Sequence, residues 1–362
     1  MRGYHIAVVG ATGAAGTELL RVLERRSFPV ASLRPIGSAR SAGKSVQFCG
    51  DSIQVEKLNA ASFEKIDIAF FSAGGEVSRS HVPIACQAEA IAIDKSSAFR
   101  MDPHVPLVIP EINAEDMRLH RGIIANPNCT TTVMLMALYP LHKIFCAHRV
   151  FAATYQAVSG SGIRGVEELT RQTRTWTEDQ KSCSRRPVGD AKEMAFDQPE
   201  STAFVKGTAD RRPPATVFPH PIAFNLLPHV DSFLESGYTK EEVKMQDETR
   251  KIMHLPELRV SATCVRVPIY RAHSIAVTAE FERPVSVEQA REVLSKAPGL
   301  ELVDEPQRNH YPMPLNVAGK DNCKVGRVRF DCALENGLSF WVSGDQLLKG
   351  AALNAVQIAE LL

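Results

Sequence analysis

A glycine loop close to the start of the chain limits most strongly what it can fold into. His5–Gly10 (HIAVVG) is a short apolar run of the buried-strand type, and Gly10-Ala11-Thr12-Gly13-Ala14-Ala15-Gly16 follows it. Ala14–Arg26 then places Leu19, Leu20 and Leu23 at helical spacing. Strand, glycine turn and helix N-terminus together make a dinucleotide-phosphate site. Glycines let the backbone approach a pyrophosphate closely, and unsatisfied N–H groups plus the helix dipole favour the anion. Spaced glycines alone are a weak signal, and the strand–turn–helix context strengthens it. The alternative is a tight strand-to-helix turn that binds nothing.

The first half continues to alternate. Leu33–Gly37, Ile66–Ala73, Ala90–Asp94 and Gly122–Asn126 read as strands, and Ser80–Glu89 as a helix with Pro83 in its first turn. Apolar strands separated by helices predict an α/β fold with a Rossmann-type, doubly wound parallel sheet. The second half differs. Val150–Gln156 reads as a strand, and Gly165–Trp176 and Glu241–His254 as helices. Long alternating segments follow at Arg259–Val267, Ser274–Phe281, Val325–Leu334 and Leu338–Val342. In the third, Val328, Phe330, Cys332 and Leu334 should share the buried face, with Arg327, Arg329 and Asp331 opposite. This half is expected to be an inserted α+β catalytic and dimerisation domain with a mixed or antiparallel sheet. Lys349–Leu362 reads as one clean helix. The expected division is 1–128 plus 349–362 for the dinucleotide domain and 129–348 for the other. The polar, basic stretch Thr177–Val217 should be a surface excursion or an arm.

Composition removes several classes of function. With 42 Lys+Arg against 41 Asp+Glu, the chain is no nucleic-acid-coating protein and no anionic-membrane binder. It contains no apolar run long enough to span a bilayer, and its N-terminus lacks the hydrophobic plug of a secretory signal. None of the eight cysteines forms a Cys-x-x-Cys pair, which argues against a metal site and for a reducing cytoplasm. Most of them should be buried packing residues.

Two further segments carry chemistry. The second strand runs into Ser38-Ala39-Arg40-Ser41-Ala42-Gly43-Lys44, which offers a cation and hydroxyls where an NAD site places an acid. NADP is therefore favoured, unless Arg40 and Lys44 are ordinary loop residues. In Asn126-Pro127-Asn128-Cys129-Thr130-Thr131-Thr132, Asn128 is a plausible N-cap of an apolar helix. Cys129 would sit in its first turn, where the dipole should lower the thiol pKa. Downstream, Arg266 and His273 could face one cleft across a bend at Pro268, as a carboxylate fork and an acid/base.

Taken in order, these motifs resemble those of the aspartate-semialdehyde dehydrogenases over nearly the whole chain: GATGAAG (10–16), SARSAGK (38–44), SSAFR (96–100), PNCTTT (127–132), YQAVSGSG (155–162), AFNLLPHVDSF (223–233), YTKEEVKM (238–245), CVRVP…RAHS (264–274) and SGDQLLKGAALNAVQIA (343–359). The resemblance implies NADPH-dependent reduction of L-4-aspartyl phosphate to aspartate semialdehyde and phosphate, in biosynthesis of lysine, methionine, threonine and isoleucine. It implies Cys129 as nucleophile, His273 as acid/base and Gln156 as the residue orienting the acyl intermediate. Arg266 would grip the substrate carboxylate and Glu241 its ammonium group, while Arg100, Lys244 and Asn128 would hold the phosphate. Gly10, Thr12, Gly13, Ala14, Ala15, Ser38, Arg40, Ser41, Ser72, Ser159, Gly160 and Gln346 would bind NADP(H). A homodimer or a dimer of dimers is implied, with no metal. His220 stands where an aromatic residue is expected, and 177–217 matches no family signature. Rival readings are a malonyl-coenzyme A reductase, an N-acetyl-glutamyl-phosphate reductase, or a non-catalytic NADP-binding relative.

Overall fold

The computed structural model describes residues 3–183 and 216–362. Its first sheet is six-stranded and wholly parallel. It comprises β1 (Tyr4–Val9), β2 (Val30–Gly37), β5 (Glu56–Lys57), β6 (Ile68–Phe71), β7 (Ile91–Asp94) and β8 (Ile123–Ala125), in the order β5-β2-β1-β6-β7-β8. A hairpin, β3 (Ser45–Phe48) and β4 (Asp51–Gln54), lies outside it. Ile6, Val8, Ile68 and Phe70 point to one face, onto α1 (Ala14–Arg25). Ala7, Val9, Ala69 and Phe71 point to the other, which α2 (Gly75–Gln87) covers. This alternation across a sheet buried on both sides is why its strands look uniformly apolar. Each fully buried large side chain there contributes about 1.5–3 kcal/mol.

The helix α2 starts five residues earlier than the sequence suggested, so Pro83 lies in its interior rather than its first turn. After the short α3 (Pro110–Asn113), β8 leads into α4 (Cys129–Phe145), whose apolar residues belong to the second core.

That core is organised by a mixed sheet, β10-β9-β11-β14-β13-β12, built from β9 (Ala147–Gln156), β10 (Arg259–Arg266), β11 (His273–Phe281), β12 (Leu300–Leu302), β13 (Cys323–Phe330) and β14 (Gly337–Gly344). The β9–β10 and β12–β13 pairs are parallel and the others antiparallel. The remaining helices are α5 (Ile163–Cys183), α6 (Lys240–Met253), α7 (Val287–Ser295) and α8 (Pro314–Val317). Since α5 runs to Cys183, the first residues of the expected excursion are helical; 184–215 lie outside the described residues.

The expected alternation in the third segment fails. Its register shifts between Gly326 and Arg329, and the strand ends at Phe330. Val328 is buried, but Phe330 and Cys332 are exposed. The cause is a close approach: a Cβ on Gly326 would lie 2.0 Å from the Val303 carbonyl oxygen, and Arg327 follows with φ +54. A bulge of this kind ends strict alternation.

The chain then returns to the first sheet. The expected clean helix begins instead as a π turn, Leu348–Ala352, which continues as α9 (Leu353–Ala359). Leu353, Val356 and Ile358 pack beside α1 in the core of the parallel sheet.

Among the described residues no helix is long and apolar enough to cross a membrane, and no cluster of side chains is suited to a metal ion. Among the seven cysteines whose surroundings are described, the expectation that most are buried is not met, since only Cys264 and Cys323 are fully so.

Candidate active site

The glycine loop is fixed by contacts that a side chain would destroy. Gly10 has φ +85, and a Cβ there would lie 2.6 Å from the Ser72 carbonyl oxygen. A Cβ on Gly16 would lie 2.1 Å from the carbonyl oxygen of Gly10. Gly13 is the N-cap of α1 and supplies no side-chain cap, and the first turn, with Ala14 and Ala15, holds no acid. The helix start therefore keeps unsatisfied N–H groups, which suits an anion. Thr12 Oγ1 donates to Ser41 Oγ at 3.1 Å, which ties the loop to the segment after β2. Ser38 and Arg40 are exposed there and no carboxylate closes the strand. These residues fit a dinucleotide carrying a 2′-phosphate.

The second constellation gathers at the strand and helix ends between the two sheets. Asn128 caps α4 as the sequence suggested: its Oδ1 accepts from Thr130 N–H at 2.9 Å and Thr131 N–H at 3.1 Å. Its Nδ2 donates to Glu241 Oε1 at 2.9 Å, and Gln156 Nε2 reaches the same oxygen at 3.4 Å. The capping box of α6, Thr239 with Glu242, fixes the helix start that presents Glu241.

Cys129 is half-buried in the first turn of α4, but its thiol does not behave as the dipole argument suggested. Burial pushes the thiol pKa up, and Glu241 adds to this; Lys95, Thr130 Oγ1 and Arg100 pull the other way without prevailing. Behind the thiol, a Cβ on Gly350 of the π turn would lie 2.8 Å from Cys129 Cβ. The wall against the nucleophile therefore comes from the far end of the chain.

Arg266 and His273 do face one cleft. A Cβ on Gly160 would lie 2.9 Å from Arg266 Nη1 and 3.4 Å from His273 Nε2. The Arg266 guanidinium is buried and has no carboxylate partner among the described residues; Nη1 donates to the Ala157 carbonyl at 2.7 Å. His273 is fully buried. Its Nδ1 accepts the Ala157 N–H at 3.1 Å, so the neutral ring carries its proton on Nε2, which has no partner among the described residues. Burial first, and then Arg266, push the imidazole down to about 3. The ring is thus set as a neutral donor at Nε2; acting as a base there would require the other tautomer. Gln346 supports this geometry: Oε1 accepts from Ala272 N–H at 2.8 Å, where the backbone has φ +75, and Nε2 donates to Ser159 Oγ.

Arg100 and Lys244 line one cavity of 210 Å³, together with Ser97, Lys240 and Glu248. Both expected anion-binding cations are ion-paired. Lys244 Nζ lies 2.7 Å from Asp231 and 3.3 Å from Glu241, and Arg100 Nη1 lies 2.9 Å from Glu248. Two residues escaped the sequence reading. Glu248 is signalled by its position seven residues after Glu241 on one helix. Lys95 has a weaker signal, adjacency to the SSAFR motif; it opposes the upward shift of the Cys129 thiol, and its own amine is pushed down by burial.

Comparison with known proteins agrees with this architecture. Residues 5–120 match a semialdehyde dehydrogenase NAD-binding domain, and residues 138–349 a semialdehyde dehydrogenase dimerisation domain. An aspartate-semialdehyde dehydrogenase of Aquifex aeolicus is 49% identical, with 99% of this chain and 98% of the relative covered. One from Bacillus subtilis is 46% identical, covering 100% and 98%. The crystal structure of aspartate semialdehyde dehydrogenase II from Vibrio cholerae, complexed with ASA, superposes with a TM-score of 0.87 at 38% identity, covering 100% and 98%. The matches do not favour the coenzyme A, acetylglutamyl or non-catalytic alternatives. The chain belongs to the aspartate-semialdehyde dehydrogenases, enzymes of aspartate-family amino-acid biosynthesis.

Proposed function

We propose that the cleft between the two sheets reduces L-4-aspartyl phosphate to L-aspartate 4-semialdehyde and phosphate, reversibly, with NADPH. The observation that carries this reading is the buried Arg266 guanidinium, which makes no ion pair with a carboxylate among the described residues and shares a cleft with His273. An unpaired buried cation is costly, and a substrate carboxylate would relieve that cost. Glu241, whose carboxylate already collects the Asn128 and Gln156 amides, answers the substrate ammonium group. Arg100 and Lys244, with Asn128 close by, answer the phosphate.

The Cys129 thiolate, which Lys95, Thr130 and Arg100 assist against burial and Glu241, attacks the acyl carbon. A C–S bond forms, the acyl C–O bond breaks, and phosphate leaves with the electron pair. Gln156 orients the thioester, and His273 donates from Nε2 to the oxygen that gains negative charge. Gly10, Thr12, Gly13, Ala14, Ala15, Ser38, Arg40, Ser41, Ser72, Ser159, Gly160 and Gln346 would hold NADP(H). The chemistry the dinucleotide supplies when bound is a hydride to the acyl carbon. Breaking the C–S bond then releases the aldehyde and restores the thiolate.

The proposed division is residues 1–128 with 349–362 for the dinucleotide and 129–348 for catalysis and assembly. Homodimers, alone or paired, would form through the second part, which matches a dimerisation domain. Free cysteines fit a reducing cytoplasm.

The test is phosphate-dependent reduction of NADP, and of NAD for comparison, by aspartate semialdehyde. Turnover should fall by at least about 10³-fold in Cys129→Ala. Full activity in that variant removes the mechanism, and no turnover by the intact enzyme removes the substrate.

A further inference from the structure

Helix α6 presents Glu241, Lys244 and Glu248 to the cleft at positions i, i+3 and i+7, which share one helical face. The first two have a place in the reading above, and Glu248 does not. It is 1% exposed and both its oxygens are used: Oε1 accepts from Arg100 Nη1 at 2.9 Å and Oε2 from the Asn128 backbone N–H at 2.6 Å. One carboxylate therefore holds a guanidinium of the anion cavity and the cap residue preceding the nucleophile.

Arg100 is fixed on its other nitrogens as well. Nε donates to the Asn126 carbonyl at 3.0 Å and Nη2 to the Lys95 carbonyl at 2.6 Å. A guanidinium has five N–H donors in a rigid fork. Three are held by these contacts, which leaves one on each terminal nitrogen of a residue lining the cavity. That remaining pair matches two oxygens of a tetrahedral anion. Lys251, one turn along α6 from Asp247, holds the same loop by donating to the carbonyls of Arg100, Asp102 and Val105.

We propose that Glu248 is a positioning residue for phosphate, which aims the Arg100 fork into the cavity and holds that fork in register with the cap of the nucleophile helix. This rests on the assignment of Arg100 to the phosphate. An amide at the position keeps one acceptor oxygen but turns a second donor against either Arg100 or the Asn128 N–H, so one of the two contacts must break.

The experiment runs the reaction from aspartate semialdehyde, NADP and inorganic phosphate, with each KM measured separately. Glu248→Gln should raise the KM for phosphate about tenfold and lower kcat, with the KM for aspartate semialdehyde within about twofold, as expected on losing roughly one charge-assisted hydrogen bond. Glu248→Asp keeps the charge and should show the same direction with a smaller change, about threefold. It carries the test if the amide variant does not fold. In an Arg100→Gln background, Glu248→Gln should add nothing to the phosphate KM. A fall in phosphate KM would make Glu248 a simple charge neutraliser and overturn the proposal. So would a parallel rise in both KM values, or full additivity with Arg100→Gln. If Arg100→Gln alone leaves the phosphate KM unchanged, the assignment of Arg100 itself fails. If only the Glu248 variants leave it unchanged, that assignment stands and the positioning role falls.

Discussion

The dinucleotide cradle and the catalytic cleft solve opposite physical problems. The cradle is made mostly of backbone: its defining contacts are those that a Cβ on Gly10 or Gly16 would violate, and a side-chain bond from Thr12 to Ser41 ties its loop to the segment after β2. The cleft is made of buried charge: Arg100, Glu241, Glu248 and Arg266 are all at most 7% exposed, and the imidazole of His273 is held neutral among them. A cradle of this kind should tolerate polar replacement and reject added volume. The cleft should tolerate small changes of shape and reject changes of charge or donor geometry.

The largest break in this contrast is expected from Gly16→Ala. The methyl would meet the Gly10 carbonyl, at a cost of about 3 kcal/mol, which should weaken NADP binding at least 100-fold. Alkylation of Cys129 should be unchanged, and a loss of both together would show that the two regions are not independent. Next in size is Arg266→Lys, which keeps the charge but loses the planar fork. The KM for aspartate semialdehyde should rise about 50-fold while the NADP KM holds steady. Equal kinetics for lysine and arginine would mean that charge alone matters in the cleft.

A third effect concerns acid. His273 has its folded pKa depressed to about 3 from the ordinary 6.5 of an imidazole, so the unfolded chain binds the proton first as pH falls. The stabilisation is complete above the unfolded pKa and is lost as pH drops from 6.5 towards 3. Between pH 7 and pH 5 this amounts to about 2 kcal/mol. Urea unfolding of the wild type and His273→Gln at both pH values should show a smaller acid loss in the variant; parallel losses would place the sensitivity elsewhere. The smallest effect is expected at Arg40, which is exposed. Arg40→Ala should reduce the preference for NADP over NAD about fivefold, in keeping with roughly 1 kcal/mol for a solvated charge contact. An unaltered ratio would assign the 2′-phosphate to other groups.

The same contrast explains what could be read in advance. The cradle was legible because strand, loop and helix are contiguous, and seven consecutive residues carry the argument. The position of Cys129 was legible for the same reason, through its neighbour Asn128. Its thiol pKa was not, because the groups that decide it arrive from other segments: Glu241 lies in the first turn of α6, and Lys95 directly follows β7. Glu248 was hidden because its partners, Arg100 and Asn128, are distant in sequence, and only the docking of α6 unites them. Gly326 shows a different failure. Period-two alternation describes a strand that nothing interrupts, and here the Val303 carbonyl occupies the space a side chain would need.

Gly350 gives the chain an order of assembly. Cys129 occupies its place against a wall from a segment far downstream of it, on a π turn that continues into α9 and packs beside α1. Closing so long a loop is among the slower steps in folding. The thiol therefore takes its working position only when the π turn has docked against the first turn of α4.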